Sequence, residues 1–264
     1  MTKTLNKNGQ IITPDETLEM DLLIEGEKIF QVGKGLEVAD AEIIDASGKY
    51  ILPGGIDPHV HLDLAMFDTV SSDDHYTGHK AAAFGGTTTV MDFVEDKDPD
   101  LIKNIADLRA KADPKAAIDY SFHMNITRFD KKVAEQIPAI LESGVTTLKV
   151  FTAYNNRLRL QDGEIFRLLN IAAKHGFLTL MHAENGDVIE VLVEEALQAG
   201  HTEPIWHART RPPWGAVEAV LRGAALAAQA KAPLYLVHLN TAGGIDQLAY
   251  ARAQNAPLMG ETCP

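Results

Sequence analysis

From residue 50 onward, short apolar runs alternate with longer segments in which apolar residues recur every three to four positions. The short apolar runs predict buried strands, and the segments with a repeat of three to four residues predict helices that pack on these strands. The predicted strands are 50–56, 87–93, 118–125, 146–152, 177–182, 234–239 and 257–260. The predicted helices are 74–84, 101–112, 131–143, 163–175, 188–200, 216–230 and 245–254.

This alternation predicts an α/β fold with parallel strands and right-handed crossovers. A doubly wound open sheet and a (β/α)8 barrel both satisfy the pattern. The polar residues favour the barrel, because a barrel brings the ends of many strands to one mouth. The first run is not followed by the Gly-x-Gly-x-x-Gly loop of dinucleotide-binding doubly wound sheets. Polar residues stand at or near the ends of several predicted strands: His59, His61, Lys149, His182, Glu184 and His238.

The first 52 residues have a different pattern, with short strands separated by turn residues such as Asn8-Gly9 and Ser47-Gly48. Such a unit is too short to close a sandwich by itself. We therefore expect residues 1–52 to form the N-terminal part of a small β-sandwich domain, with strands at 4–6, 9–12, 21–25, 28–32 and 41–45.

Residues 53–264 supply about seven of the eight strands that a closed barrel needs. The last predicted strand is followed at once by the end of the sequence, without a further helix. We therefore expect an incomplete barrel over 53–264 whose C-terminal part is missing, in a chain that is a portion of a longer protein.

Composition restricts the partners and the ligands. The hydrophobic fraction of 45% and the charged fraction of 23% are ordinary for a soluble protein. A net charge of -13, spread along the chain, disfavours nucleic acid as a partner. No apolar run is long enough for a membrane span or a signal peptide, so we expect a cytoplasmic protein. The single cysteine, Cys263, excludes an internal disulfide and a thiolate metal cluster.

Five residues carry the predicted chemistry. His59 and His61 are two positions apart, so on a strand both imidazoles point to one face and can converge on a divalent ion. His182 and His238 each end a strand, where a histidine can be a ligand or a structural residue. His75 and His79 have helical spacing without the glutamate of a zincin motif, and we assign them a solvated or packing role.

Lys149 lies inside an apolar strand, where burial of a cation is costly. Two explanations stay open: the amine pairs with a carboxylate, or the neutral amine reacts with carbon dioxide to give a carbamate that bridges two metal ions. Together with neutral imidazoles, which are common zinc ligands, the second explanation predicts a hydrolytic metal site.

Five segments in this order resemble the dihydropyrimidinase and D-hydantoinase family, the cyclic amidohydrolases of the amidohydrolase superfamily. The resemblance runs through essentially all of the chain, and it implies a TIM-like barrel of the metal-dependent hydrolase type in a cytoplasmic homotetramer that acts in pyrimidine catabolism. The segments are Pro-Gly-Gly-Ile-Asp-Pro-His-Val-His-Leu-Asp at 53–63, Ala-Ala-Phe-Gly-Gly-Thr-Thr-Thr at 82–89, Lys-Val-Phe-Thr-Ala-Tyr at 149–154, Met-His-Ala-Glu-Asn at 181–185 and Gly-Glu-Thr-Cys-Pro at 260–264.

By position, the resemblance implies that His59 and His61 hold one Zn²⁺, that His182 and His238 hold a second, and that carbamylated Lys149 (N6-carboxylysine) bridges the two ions. It also implies that Tyr154 is the catalytic donor to the oxyanion of the tetrahedral intermediate. Two loops would cover the substrate, and the substrate-binding residues would be Tyr154, Leu64, Met66, Phe151 and Leu158.

The reaction implied is hydrolysis of a small cyclic amide, a dihydropyrimidine or a hydantoin, to an N-carbamoyl amino acid by a metal-bridging hydroxide. The family's last barrel strand carries a metal-binding, proton-shuttling aspartate that has no counterpart in the printed sequence, so we expect less than full activity. The alternatives are an allantoinase, a dihydroorotase or a non-enzymatic scaffold resembling the collapsin response mediator proteins. Asp63 stands where dihydroorotases have arginine, and the five candidate metal residues disfavour the scaffold.

Overall fold

A computed structural model describes residues 2–66 and 68–263. The chain divides into two compact units, Met1–Gly55 and Ile56–Pro264. No helix within the described residues has both the length and the apolarity needed to cross a membrane.

The first unit contains two small sheets. Its strands are β1 (Lys3–Lys7), β2 (Gln10–Ile12), β3 (Thr17–Glu19), β4 (Asp21–Glu25), β5 (Lys28–Gly33), β6 (Glu42–Asp45) and β7 (Tyr50–Ile51). They form a four-stranded sheet in the order β5-β4-β1-β6 and a three-stranded sheet in the order β3-β2-β7. The sequence did not predict β3, and it assigned the residues of β7 to the first strand of the barrel.

The second unit is built on a seven-stranded parallel sheet in the order β16-β15-β14-β13-β12-β11-β8. Its strands are β8 (Gly55–Val60), β11 (Thr87–Val94), β12 (Asp119–Asn125), β13 (Thr147–Phe151), β14 (Leu178–His182), β15 (Leu234–Leu236) and β16 (Leu258–Gly260). A separate hairpin pairs β9 (Ala65–Met66) with β10 (Thr69–Val70).

Helices connect the strands of the second unit. They are α1 (His75–Phe84), α2 (Leu101–Ala112), α3 (Lys131–Glu142), α4 (Asp162–His175), α5 (Gly186–Gln198), α6 (Ile205–Arg209), α7 (Pro213–Ala230) and α8 (Ala242–Ala253). Side chains at several N-caps accept hydrogen bonds from backbone N–H groups of the first turn, which explains why helices begin where they do. These caps are Asp74, Asp100, Asp130, Asn185 and Thr241.

The predicted fold class, an incomplete (β/α)8-type barrel preceded by part of a small β domain, is confirmed. The bounds of one predicted strand were wrong: the run 50–56 divides into β7, which pairs with β2, and the start of β8, which joins the parallel sheet. Pro53 lies between them and has no N–H to donate to a ladder. The hairpin β9–β10 and the short helix α6 were not predicted.

The seven-stranded sheet is strongly curled. Successive strands lie about 4.8 Å apart, so a flat sheet of this order would hold its two edges ~29 Å from each other. His59, on edge strand β8, nevertheless lies 2.5 Å from the carboxylate of Glu261, which directly follows the opposite edge strand β16. The curl therefore brings the carboxyl ends of the strands to a common centre.

Candidate active site

Lys149 lies at the middle of β13 and is only 2% exposed. Its Nζ atom is 5.2 Å from the ring centroids of both Phe93 and Phe151. Among the described residues, no carboxylate oxygen lies within 4.0 Å of this amine. Burial lowers the pKa of Lys149 to about 7, so a large share of the amine is uncharged near neutral pH. The structure therefore does not support the first of the two explanations for this lysine, in which the amine pairs with a carboxylate.

His59 and His61 lie at the carboxyl end of β8, and their ring centroids are 5.2 Å apart. Both rings pack against Phe93, at 4.6 and 4.9 Å. The i, i+2 spacing thus places both imidazoles on one side of the strand, as the pattern predicted. His59 is half-buried, whereas His61 is exposed.

His182 and His238 come from neighbouring strands and face each other directly. His182 Nδ1 lies 3.2 Å from His238 Nε2, and the His238 ring lies 5.3 Å from that of His59. The other nitrogen of His182 lies 2.6 Å from the carboxylate of Glu184. Burial, with a smaller contribution from repulsion by His182, Lys149 and His59 when these carry a proton, lowers the pKa of His238 to about 3. His238 is therefore neutral at pH 7, which is the form that binds metal ions.

Glu261 connects the two edges of the sheet. Its Oε1 accepts from His59 Nδ1 at 2.5 Å and from the backbone N–H of His238 at 3.3 Å, and its Oε2 accepts from the Tyr235 hydroxyl at 3.0 Å. Burial opposes ionisation of this carboxyl, but the hydrogen bonds outweigh burial and lower the pKa of Glu261. The carboxylate of Glu261 thus lies beside His59 and the backbone of His238 without forming an ion pair with Lys149.

Tyr154 follows β13 in a tight turn and has a φ of 63°, in the left-handed region that non-glycine residues rarely adopt. Its ring centroid is 5.1 Å from that of His182. Burial and the nearby charge of Glu184 raise the pKa of Tyr154 above its ordinary value, so the hydroxyl keeps its proton at neutral pH. His238 also has a positive φ, of 39°. Uncommon backbone conformations of this kind concentrate at functional sites.

The remaining predicted substrate-binding residues lie on two loops. Leu64 directly precedes the β9–β10 hairpin, and Met66 is part of it. Leu64 and Phe93 help to line a cleft of about 350 Å³. Phe151 lies 5.9 Å, ring to ring, from His182. Leu158 donates its backbone N–H to the carbonyl of Tyr154 at 3.0 Å. The substrate contacts of these side chains stay predictions.

A second cleft of about 410 Å³ borders Tyr154, and none of the five predicted ligands lines it. Within the described residues, no three side chains of His, Cys, Asp or Glu form a metal-binding group by themselves. The rings of Phe93 and Phe151, which lie beside His59, His61 and His182, also flank Lys149. This residue offers oxygen ligands only after conversion of its amine to a carbamate.

Three other histidines belong to the packing. His75 and His79 are fully buried, so a solvated role is wrong and a packing role fits. His123 ties three strands together: its Nε2 is 2.8 Å from the Pro58 carbonyl and its Nδ1 is 2.5 Å from Thr147 Oγ1.

Sequence reasoning assigned no role to Phe93 or Glu261, yet both lie at the centre of the cluster. Phe93 contacts His59, His61 and Lys149. Glu261 belongs to the Gly-Glu-Thr-Cys-Pro segment, and a lone acidic residue just after a strand was the available signal. Phe93 gave no signal beyond its place in an apolar run.

A curled parallel sheet with titratable side chains gathered at the carboxyl ends of its strands defines the (β/α)8-barrel class, in which active sites are built at that end. The chain belongs to the amidohydrolase family, whose model matches residues 50–234.

Within this family, the chain is similar to proteins named D-hydantoinase and dihydropyrimidinase. The chain is 46% identical to the D-hydantoinase of Geobacillus stearothermophilus, a match that covers 100% of this chain and 56% of the relative. It is 36% identical to dihydropyrimidinase 1 of Caenorhabditis elegans, covering 97% of this chain and 53% of the relative. The crystal structure of dihydropyrimidinase from Brevibacillus agri superposes with a TM-score of 0.97 at 46% identity, over 100% of this chain and 57% of that one. The chain thus spans somewhat more than half the length of these relatives.

Proposed function

We propose that this chain carries the metal-binding part of a cyclic amidohydrolase that opens hydantoin or dihydropyrimidine rings to N-carbamoyl amino acids. The supporting observation is Lys149: a buried amine with a pKa of about 7, flanked by two phenylalanine rings that also contact His59, His61 and His182, and without a carboxylate of the described residues within ion-pair distance. The family membership and the names of the relatives support the same reaction class. They do not favour the scaffold, allantoinase or dihydroorotase alternatives.

The residues present fit a pair of zinc ions. In this proposal His59 and His61 would hold one ion, His182 and His238 would hold the other, and Lys149, carboxylated at Nζ, would supply oxygen ligands to both. The neutral state of His238 and the partly neutral amine of Lys149 are the forms that this arrangement requires. When bound, zinc would supply a nucleophilic hydroxide near neutral pH and polarise the carbonyl of the substrate.

The chain's own side chains would carry out the remaining steps. Tyr154 keeps its phenolic proton at neutral pH, and it would donate a hydrogen bond to the carbonyl oxygen as negative charge develops there. Lys149 is only 2% exposed, with Phe93 and Phe151 beside its amine. This burial would keep part of the amine neutral and nucleophilic towards carbon dioxide. Leu64, Met66, Phe151 and Leu158 would border the substrate. We also propose a cytoplasmic homotetramer.

Metal analysis of the purified chain tests this proposal. We expect about two zinc ions per chain in the presence of bicarbonate, and fewer in His59→Ala, because the variant loses a ligand that no neighbouring side chain replaces. Ring opening of hydantoin, followed through the N-carbamoyl product, should fall with the zinc content. His175→Ala, which removes an exposed histidine at the end of α4, is the matched control. A zinc-free wild type, or a zinc-free variant with undiminished hydrolysis, would refute the proposed site.

A further inference from the structure

Glu261 is held rigidly by its own backbone. Its N–H donates to the Leu236 carbonyl at 3.0 Å, and its carbonyl accepts from Leu239 N–H at 2.8 Å. Its side chain is 14% exposed. Both carboxylate oxygens are in use, one towards His59 and His238 and the other towards Tyr235. The carboxylate therefore has a fixed position and orientation relative to the His59 ring.

This contact determines which nitrogen of His59 carries the proton. An ionised carboxylate only accepts hydrogen bonds, so a neutral His59 must carry its proton on Nδ1 and keep the lone pair on Nε2. An imidazole without such an acceptor populates both neutral tautomers, and its ring rotates more freely. Nε2 is then the atom of His59 that remains to bind an ion.

A similar contact occurs at the other proposed zinc pair. Glu184 lies 2.6 Å from Nε2 of His182, so its carboxylate leaves the lone pair of that ring on Nδ1, which faces His238. One imidazole of each proposed pair thus donates its outer N–H to a carboxylate. Contacts of this kind orient metal-binding histidines in proteins and raise their basicity.

We propose that Glu261 is a positioning residue for His59, which fixes the tautomer and the orientation of this imidazole and ties it to the neighbouring His238 segment. This inference rests on the proposed zinc site. It assigns to the Gly-Glu-Thr-Cys-Pro segment a role in preparing the site, distinct from that of a ligand.

Zinc affinity, measured by competition with a chelator, gives the first test. In Glu261→Ala we expect one of the two zinc equivalents to bind about 10–100-fold more weakly. Glu261→Gln should lose less, because its amide oxygen can still accept from His59. Glu135→Gln, at an exposed ion pair on α3, is the control and should bind zinc as the wild type does. Unchanged affinity for both equivalents in Glu261→Ala would overturn the proposal.

Nitrogen NMR of the zinc-free chain gives the second test, with the His59 signal assigned through His59→Gln. The wild type should show the Nδ1–H tautomer, Glu261→Gln should retain it, and Glu261→Ala should shift towards Nε2–H. A merely structural role predicts a lower melting temperature in Glu261→Ala with tautomer and zinc affinity unchanged, and that result contradicts the inference. If the wild type binds no zinc, the proposed function fails, and the tautomer alone decides the role of Glu261.

Discussion

Lys149 shows how strongly one residue depends on its surroundings. An ammonium group in water keeps its proton well above pH 9, whereas the buried amine of Lys149 has a pKa lowered to about 7. The two phenylalanine rings beside Nζ offer little compensation for lost hydration, because cation–π attraction is worth only about 0.5–2 kcal/mol. The proposed carboxylation of Lys149 at neutral pH would require such a destabilised cation.

The pH dependence of stability provides a prediction for Lys149. Between pH 7 and about 10 the unfolded chain binds a proton at this lysine and the folded chain does not, so the free energy of unfolding rises with pH by up to about 1.4 kcal/mol per unit. Lys149→Met should lack this contribution. Urea unfolding of the metal-free protein in buffer without carbon dioxide, at pH 7 and pH 9, measures the difference.

The control for this experiment is Lys174→Met, at an exposed lysine in the last turn of α4. It should keep the wild-type change in stability between pH 7 and pH 9. Equal pH dependence in Lys149→Met and the wild type would show that the Lys149 amine keeps an ordinary pKa in the folded chain, and the chemical argument for carboxylation would lose its basis.

At the scale of elements, the site depends on close packing between the loop after β13 and the start of α5. Gly186 is the first residue of α5, and a Cβ there would lie 2.8 Å from Ala153 Cα and 3.0 Å from the Thr152 carbonyl oxygen. Both are backbone atoms and cannot move aside as a flexible side chain can. The same loop carries Tyr154, so the glycine lets helix and loop approach closely.

Gly186→Ala should therefore destabilise the chain by about 1–3 kcal/mol, the usual cost of overpacking. It should also disturb the Tyr154 turn and so reduce the ring opening that we propose for this chain. Gly163→Ala is the matched control, because a Cβ at this position in α4 meets nothing within 4 Å. This variant should be neutral or more stable by up to about 1 kcal/mol. Thermal melts of both variants distinguish local crowding from a general intolerance of alanine.

At the scale of the whole molecule, the first unit exposes large apolar side chains on the edge strands of its four-stranded sheet. Ile29 and Phe30 on β5 are 66% and 64% exposed, and Ile43 on β6 is 63% exposed. Unpaired strand edges with apolar side chains favour association with other chains. These strands thus provide the surface through which we expect this unit to associate.

We predict that the average mass of the chain in solution rises with concentration. The double variant Phe30→Thr/Ile43→Thr should weaken this rise, because threonine keeps the strand propensity and removes apolar surface. Analytical ultracentrifugation measures the effect. Trp214→Ser, which removes a 79% exposed apolar residue at the start of α7, is the control. Association that depends on Trp214 and not on the β5 and β6 residues would contradict this assignment.

Much of the fold could be predicted from the sequence because its signals are local. The period of apolar residues predicted all seven strands of the parallel sheet, although the first was placed too early, since Pro53 interrupts the run. The β9–β10 hairpin was missed because its strands are too short for a pattern. His59 and His61 were expected to share a face from their spacing alone, and their packing on Phe93 agrees with this.

The sequence by itself determined the order and type of the elements, because each depends on residues a few positions apart. Only the tertiary structure decided which side chains meet. The contact between His59 and Glu261 joins residues 202 positions apart, and it depends on the curvature and register accumulated over the whole seven-stranded sheet. The lowered pKa of Lys149 likewise depends on aromatic rings brought from β11 and from its own strand. A pattern of neighbouring residues does not contain the accumulated curvature and register of a sheet. The contacts around the candidate site were therefore visible only in the folded chain.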